Sequence, residues 1–174
     1  MSKNTNNTIL FESNLYNKIL LLSRNKLLYS KFNLNDTFQN RIYLIFIHIC
    51  FLFVKLKKHE NKLSYLEFNQ KVFDYTFSKI EINMREIGYG DVTVNKNMKS
   101  LVKDFYSILF FCENYNKKTF ENKTSFVKKY LSINKDVKNH KNNGFIMYLD
   151  KYYTFCLDLT SDNVLKGEIN YNYN

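Results

Sequence analysis

The chain has 174 residues, of which 45% are hydrophobic and 17% aromatic, and it carries a formal net charge of +10. This composition excludes a disordered chain, and the length predicts a single domain over residues 1–174, with loosely ordered ends at 1–12 and 168–174. Three Cys without a C-x-x-C pair exclude a disulfide framework and a zinc site, and the first residues lack a secretory signal pattern, so we expect a reducing, cytoplasmic location.

The first two predicted helices differ in the width of their apolar face. An amphipathic helix is predicted at 13–29, with Ser13 as its N-cap, and a second helix at about 36–57 is capped by Asp36 or Thr37. The second helix is apolar on nearly every side, which is typical of the central helix of a bundle. Its apolar run at 42–54 is shorter than a membrane span, so we interpret it as a core helix.

The next two predicted helices flank a turn that contains Gly88 and Gly90. Ser64 and Glu67 have the spacing of a capping box at the start of the third helix, and Gly88 is expected to end that helix in a left-handed conformation. A fourth helix is predicted from about Thr93, because its apolar residues recur at three- and four-residue spacing.

The pattern is weaker beyond residue 115. A short helical stretch is expected at 126–133, a loop at 135–143, a last helix at 144–159 and a short extended tail after it. Together these elements predict an all-α fold, a single-domain bundle of about six helices around the buried central helix.

No group of residues with a catalytic or metal-binding spacing is present. His48, His59 and His140 each occur without a His or Cys partner three or four residues away, so no metal site is predicted. We interpret His48, which lies in the apolar second helix, as a buried structural histidine. No nucleophile and base pair is visible either, and the protein is therefore not expected to be an enzyme.

Residues 85–96 permit two interpretations. In the first, Gly88 and Gly90 form a tight joint between two helices, and Asp91 or Thr93 caps the second of them. In the second, the Gly-x-Gly turn and Lys96 bind an anion at the start of a helix. We favour the joint, because known phosphate loops follow a strand and Asp91 would repel a phosphate.

The basic residues of the fourth helix suggest an anionic partner. Lys96, Lys99 and Lys103 align opposite its apolar stripe. A basic helical protein that binds RNA or the ribosome is therefore an alternative, although a composition rich in Lys and Asn would also explain the charge. The sequence has no helix-turn-helix or ribonucleoprotein motif, so no specific DNA partner is predicted.

Two segments, 28–58 and 65–106, carry a family resemblance. The first contains Asp36-Thr37, then Arg41, an apolar helix with His48, and a basic end with lysines at 55, 57 and 58. The second contains Arg-Glu-x-Gly-x-Gly-Asp at 85–91, then Val-x-Lys at 94–96 and a basic helix that ends in Phe-Tyr at 105–106. In these segments the chain resembles the ubiquinol-cytochrome c chaperone family. Asn40 departs from the pattern of the family, and residues 117–143 match nothing in it.

The resemblance implies an assembly factor of respiratory complex III, without catalysis or cofactor, that recognises newly made cytochrome b near the ribosome or the inner membrane. A small partner subunit, peripheral contact with the inner membrane and, in a eukaryote, a mitochondrial matrix location are also expected. Arg41 is expected to pair with Asp91, because a buried Arg requires a carboxylate. Asp36, Arg41 and His48 are expected to be structural polar residues, and the residues expected to bind protein are Arg85, Gly88, Tyr89, Gly90, Asp91, Lys96, Lys99, Lys103 and Tyr106.

Overall fold

The structure is a computed structural model that describes residues 3–57, 62–133 and 141–173. Within these ranges the chain is all-α, as predicted, with six helices of 11 residues or more and two of five residues. A 3₁₀ turn at Tyr115–Lys117 follows the fifth helix. The helices are α1 (Lys3–Ser23), α2 (Lys26–Ser30), α3 (Phe38–Leu56), α4 (Lys62–Glu86), α5 (Asp91–Glu113), α6 (Phe120–Tyr130), α7 (Lys141–Asp158) and α8 (Ser161–Leu165).

Helix α3 is the centre of the bundle. It contacts α1, α4, α5, α7 and α8, and every side chain from Leu44 to Val54 is buried. Burial of an aliphatic or aromatic side chain contributes roughly 1.5–3 kcal/mol, so this run of three turns is a main source of stability. Thr37 caps the helix, because its side chain accepts a hydrogen bond from the backbone N–H of Asn40 at 3.2 Å.

The length and composition of α3 are also those of a membrane span. Its mean hydropathy over 18 residues is 1.4, and it is the one helix in the described ranges that meets this test. The other helices bury 78% of that window, which is the pattern of a core helix.

Helix α5 is fixed to the bundle by a cluster of aromatic rings. The ring of Phe105 meets the rings of Phe46, Phe73 and Phe77 edge-on, with centroid distances of 5.2, 5.1 and 5.8 Å. Edge-to-face pairs of this kind add to the energy of burial and restrict the rotation of a helix about its axis. The face of α5 opposite Phe105 is therefore held towards solvent.

The start of the chain differs from the prediction. Helix α1 begins at Lys3, so Ser13 lies inside the helix and is not its N-cap. The predicted helix 13–29 is interrupted after Ser23, because the side chain of Asn25 accepts a hydrogen bond from the backbone N–H of Leu27 and caps the short helix α2. Asn25 thus changes one predicted helix into two.

Other predicted boundaries were also wrong. Helix α5 begins at Asp91 with Gly90 as its N-cap, so neither Asp91 nor Thr93 caps it. Helix α4 begins at Lys62, which puts Ser64 in its first turn rather than at the N-cap position. Helix α6 begins at Phe120, not at 126, and its capping box pairs Thr119 with Asn122. A box with Asn in place of Glu or Gln at the fourth position is a weaker sequence signal. The loop predicted at 135–143 lies mostly outside the described residues, and α7 begins at Lys141.

The C-terminal segment agrees with the prediction only in part. The tail after the last long helix was expected to be extended, but its first residues, Ser161–Leu165, form α8. The residues after α8 are extended, and they pack against the bundle. Ile169 is only 2% exposed, and the ring of Tyr171 contacts the rings of Tyr152 and Phe155 at 5.0 and 4.9 Å. Gly167 has a φ of +68°, and a Cβ there would lie 2.8 Å from the backbone N of Leu15. Only glycine tolerates this close approach to α1. Loose order at 1–12 stays a prediction.

Candidate protein-binding site

The joint between α4 and α5 is a glycine turn stabilised by backbone hydrogen bonds. The N–H of Tyr89 donates to the carbonyl of Met84 at 3.1 Å, and the N–H of Gly88 donates to the carbonyl of Arg85 at 3.0 Å. This pair of bonds is a Schellman motif, which requires a residue with positive φ, and Gly88 has a φ of +100°. We call residues 87–90 the elbow.

An ion pair spans the elbow. The guanidinium of Arg85 contacts the carboxylate of Asp91 at the start of α5, and its Nη2 atom donates to Glu81 Oε1 at 2.9 Å. All three side chains are well exposed, so the pairs contribute little stability, but they limit the angle between the helices. Asp91 thus has a partner on the other side of the elbow, in the last turn of α4.

The predicted pairing of Arg41 with Asp91 is wrong. Arg41 instead holds Asp36, with Nε donating to Oδ1 at 2.7 Å and Nη2 donating to Oδ2 at 2.9 Å. The Arg41 side chain is partly exposed to solvent, so burial does not require it to pair with a carboxylate from another part of the fold. Hydrogen bonding to Arg41 keeps the pKa of the Asp36 carboxyl below its usual range.

One face of α5 is fully exposed from the elbow to its last turn. Its residues follow one another at spacings of four and three, which places them on a single stripe of the helix. The opposite stripe is buried and contains Val94, Leu101, Phe105, Ile108 and Cys112. We call the exposed stripe the α5 outer face; it consists of Val92, Lys96, Lys99, Lys103, Tyr106 and Phe110.

The C-terminal half of the α5 outer face forms one wall of a groove. Helix α6 forms the other wall, and the groove has a volume of about 780 Å³. The rings of Phe111 and Phe126 stack across it with centroids 4.0 Å apart and planes 8° apart. We call this the α5–α6 groove, and it is lined by Lys103, Tyr106, Ser107, Phe110, Phe111, Lys118, Asn122, Ser125, Phe126, Lys129 and Tyr130.

The groove is positively charged. Three of its lining residues are lysines, and none is acidic. Lys118 Nζ lies 5.3 Å from the ring centroid of Phe111, and Lys129 Nζ lies 4.8 Å from that of Tyr130. In the described ranges Lys103, Lys118 and Lys129 form no ion pair, so their charges are available to a partner.

His48 is a structural residue inside the bundle. Its Nδ1 atom lies 2.5 Å from the carbonyl oxygen of Leu44 and its Nε2 atom 2.6 Å from the hydroxyl of Tyr148 on α7. Since a carbonyl only accepts, Nδ1 carries the proton and Nε2 accepts from Tyr148. Burial lowers the pKa of His48 to about 4, so the ring is neutral near pH 7.

Asn40 is a buried polar residue that the sequence did not identify as a structural link. Its amide donates to the carbonyls of Asn35 and Ser132 at 2.7 and 2.8 Å, and its Oδ1 accepts from the N–H of Ser132 at 2.9 Å. Leu34 and Ile133 form an isolated antiparallel bridge beside it. Asn40 therefore holds the segment after α6 against the start of α3. Because an Asn at position 40 departs from the pattern of the family, the sequence alone could have marked this residue as unusual.

The described residues offer few groups for covalent or metal chemistry. No cluster of three or more His, Cys, Asp or Glu side chains in these ranges is arranged to bind a metal. Cys50, Cys112 and Cys156 are free thiols in the core. Burial raises the pKa of the Cys50 and Cys156 thiols, which makes both thiols poor nucleophiles.

The nine residues expected to bind protein are all exposed. The structure brings Arg85, Gly88, Tyr89, Gly90 and Asp91 together at the elbow and puts the three lysines and Tyr106 on the adjoining α5 outer face. Sequence reasoning missed the second wall of the groove, which α6 supplies through Phe126 and Lys129. The Thr119–Asn122 box was the signal that could have revealed it.

The architecture is that of a helical protein with an exposed basic and aromatic surface, and comparison with known proteins identifies its family. A family model described as "Ubiquinol-cytochrome C chaperone" matches residues 30–122. The chain belongs to the ubiquinol-cytochrome c chaperone family. The matched segment contains α3, α4, the elbow and all of α5.

A solved structure has a similar fold. It is described as the crystal structure of the Cbp3 homolog from Brucella abortus, with a TM-score of 0.80 and 20% sequence identity, and the match covers 98% of this chain and 93% of that one. Comparison with curated proteins gave no match.

Proposed function

We propose that this protein is an assembly factor that binds newly made cytochrome b during the biogenesis of ubiquinol-cytochrome c reductase, respiratory complex III. The observation that supports the proposal is the family match at 30–122, which contains the whole α5 outer face and the elbow. Its action is binding, and it requires no cofactor.

The exposed surface has the properties that such a client requires. Cytochrome b is a membrane subunit, so before assembly it presents apolar segments and charged loops to its surroundings. Val92, Tyr106 and Phe110 on the α5 outer face are exposed hydrophobic side chains, and three lysines lie between them. Hydrophobic anchors with a charged rim are the usual composition of a protein-binding surface.

Additional contacts follow from the same surface charge. A row of lysines attracts an anionic leaflet or ribosomal RNA. The protein would therefore bind its client at the cytoplasmic side of the inner membrane, or in the mitochondrial matrix of a eukaryote. A small partner subunit is a further expected contact.

The alternative is a basic helical protein that binds RNA or the ribosome. The alignment of Lys96, Lys99 and Lys103 on one exposed face favours it. This alternative predicts an affinity for RNA that falls steeply with salt and that is unchanged when the aromatic residues of the α5 outer face are replaced.

Complex III content tests the proposal in cells that lack the native protein. The double variant Lys96→Glu and Lys99→Glu keeps the fold, because both side chains are exposed, and it should lower assembled complex III at least about threefold relative to the wild-type chain. The control is Lys26→Glu with Lys166→Glu, which changes the net charge equally at exposed positions elsewhere. Unchanged complex III in the first variant, with the protein present at normal amounts, would overturn the proposed role of this face.

A further inference from the structure

The α5 wall of the α5–α6 groove presents aromatic side chains that no described part of the chain covers. Phe110, on one wall, is 68% exposed, and Tyr106 next to it is more than half exposed. The stacked pair of Phe111 and Phe126 forms the floor between the helices, and because Phe126 is only 6% exposed, most of the free apolar surface of the groove belongs to Phe110 and Tyr106. A concave apolar surface of this kind is typical of a site that receives side chains from a partner.

The charges around the floor restrict the chemistry of that partner. Lys103 lies on the α5 wall, Lys118 lies before α6 and Lys129 lies near the end of α6, so positive charge surrounds the aromatic floor. The lining contains no Asp or Glu to balance these lysines. A cationic segment would be repelled, and an uncharged one would leave the lysines without partners.

We propose that the α5–α6 groove binds an acidic amphipathic segment of a partner protein, with apolar side chains against Tyr106 and Phe110 and carboxylates on Lys103, Lys118 and Lys129. A short helix is the form that fits a groove between two helices. This proposal adds a binding mode to the proposed function. It rests on that function only where it identifies the partner protein as the client, cytochrome b.

Two other anionic partners match the surface less well. A bilayer is a broad, nearly flat surface, whereas this site is concave and its floor lies between two helices. Single-stranded RNA binds by stacking bases on ring faces, but Phe111 is stacked on Phe126 and Lys118 lies over its ring. Tyr106 and Phe110 on the α5 wall are exposed and can receive aliphatic side chains.

The test uses the full chain and a fluorescent helical peptide of about four turns, with leucines at i, i+3, i+4 and i+7 and glutamates on the flanking positions. We expect saturable binding by fluorescence anisotropy. A peptide with lysines in place of the glutamates should bind at least about tenfold more weakly.

Matched variants separate the groove from the rest of the surface. Phe110→Glu should weaken peptide binding at least about tenfold, whereas Leu21→Glu, at a residue of the same 68% exposure on α1, should change it less than about twofold. Lys103→Glu with Lys129→Glu should also weaken it about tenfold, and Lys26→Glu with Lys166→Glu should not. Thermal unfolding of each variant confirms that the fold is retained.

The opposite results overturn the proposal. Equal affinity for the acidic and basic peptides would exclude charge recognition. An equal loss of peptide affinity in Phe110→Glu and Leu21→Glu would exclude the groove as the binding site. If the peptide does not bind but anionic vesicles or an oligouridine bind in a Phe110-dependent manner, the partner is a membrane or RNA instead. Cytochrome b that still co-purifies with Phe110→Glu would refute the groove and leave the proposed function standing, whereas peptide binding without any cytochrome b association would refute the proposed function alone.

Discussion

At the scale of single residues, the pair formed by His48 and Tyr148 connects the central helix to α7. Both side chains are buried, and their hydrogen bond joins residues 100 positions apart in the chain. The apolar neighbours of His48 in the sequence were enough to predict a buried histidine. Its partner could not be predicted, because nothing local to His48 indicates which distant hydroxyl faces it.

Replacement of His48 tests the energy of this pair. His48→Leu should lower the free energy of unfolding by about 2 kcal/mol, because the buried hydroxyl of Tyr148 loses its partner. Adding Tyr148→Phe should restore part of that loss, since the orphaned hydroxyl is then removed. Urea unfolding of the two single variants and the double variant measures the coupling. Losses that simply add would show that the hydrogen bond contributes nothing.

The same histidine makes stability depend on pH. Burial lowers the pKa of His48 to about 4, against about 6.5 in an unfolded chain. Between these values the unfolded state binds more protons, so the free energy of unfolding should fall as pH drops from about 6.5 to 4, by up to about 3 kcal/mol. The comparison is with His48→Leu, whose free energy of unfolding should decrease less over this range. Parallel pH curves for the two proteins would contradict the assignment.

At the scale of elements, the two glycines of the elbow have different physical roles. Gly88 has a φ of +100°, which is costly for any residue with a Cβ, whereas Gly90 has a φ of −70° and an open space where a Cβ would be. The sequence suggested one tight joint that depends on both glycines. Only Gly88 is required by the backbone of this chain.

Alanine substitutions separate the two roles. Gly88→Ala should lower the free energy of unfolding by about 1–2 kcal/mol through backbone strain, and Gly90→Ala should change it by less than about 0.5 kcal/mol. Thermal or urea unfolding gives both values. An equal loss in the two variants would argue against the Schellman geometry of the elbow.

The helices that could be predicted from the sequence are those with a strong apolar period. The buried and exposed stripes of α5 follow directly from its spacing, and the continuous apolar run of α3 indicated its central place. Helix α6 was predicted too short and six residues late, because its cap uses Asn122 rather than an acidic residue. Helix α1 starts earlier than predicted, since its first turns have a polar composition that gives no amphipathic signal.

At the scale of the whole molecule, the candidate site depends on the packing of one helix against another. Lys103 and Tyr106 were predicted site residues from their positions on the fourth helix and from the family resemblance. The groove beside them exists only because α6 returns along α5 and stacks Phe126 on Phe111. No local sequence pattern specifies that contact, so the second wall of the site could not be predicted from the sequence.

Surface charge and exposed aromatic residues also act together at this scale. A net charge of +10 increases the rate of encounter with any anionic partner, while hydrophobic anchors decide which partner stays bound. We therefore expect the affinity for the client to fall as the salt concentration rises, without being abolished. Replacement of the aromatic anchors should abolish it.

The most direct test is affinity purification of the tagged full-length protein after pulse labelling of new proteins. We expect labelled cytochrome b to co-purify with the wild-type chain and with Leu21→Glu. Recovery should fall at least about fivefold with the double variant Tyr106→Glu and Phe110→Glu, because the exposed aromatic anchors of the α5 outer face are lost. Absence of cytochrome b from the wild-type purification, or full recovery with the double variant, would contradict this expectation.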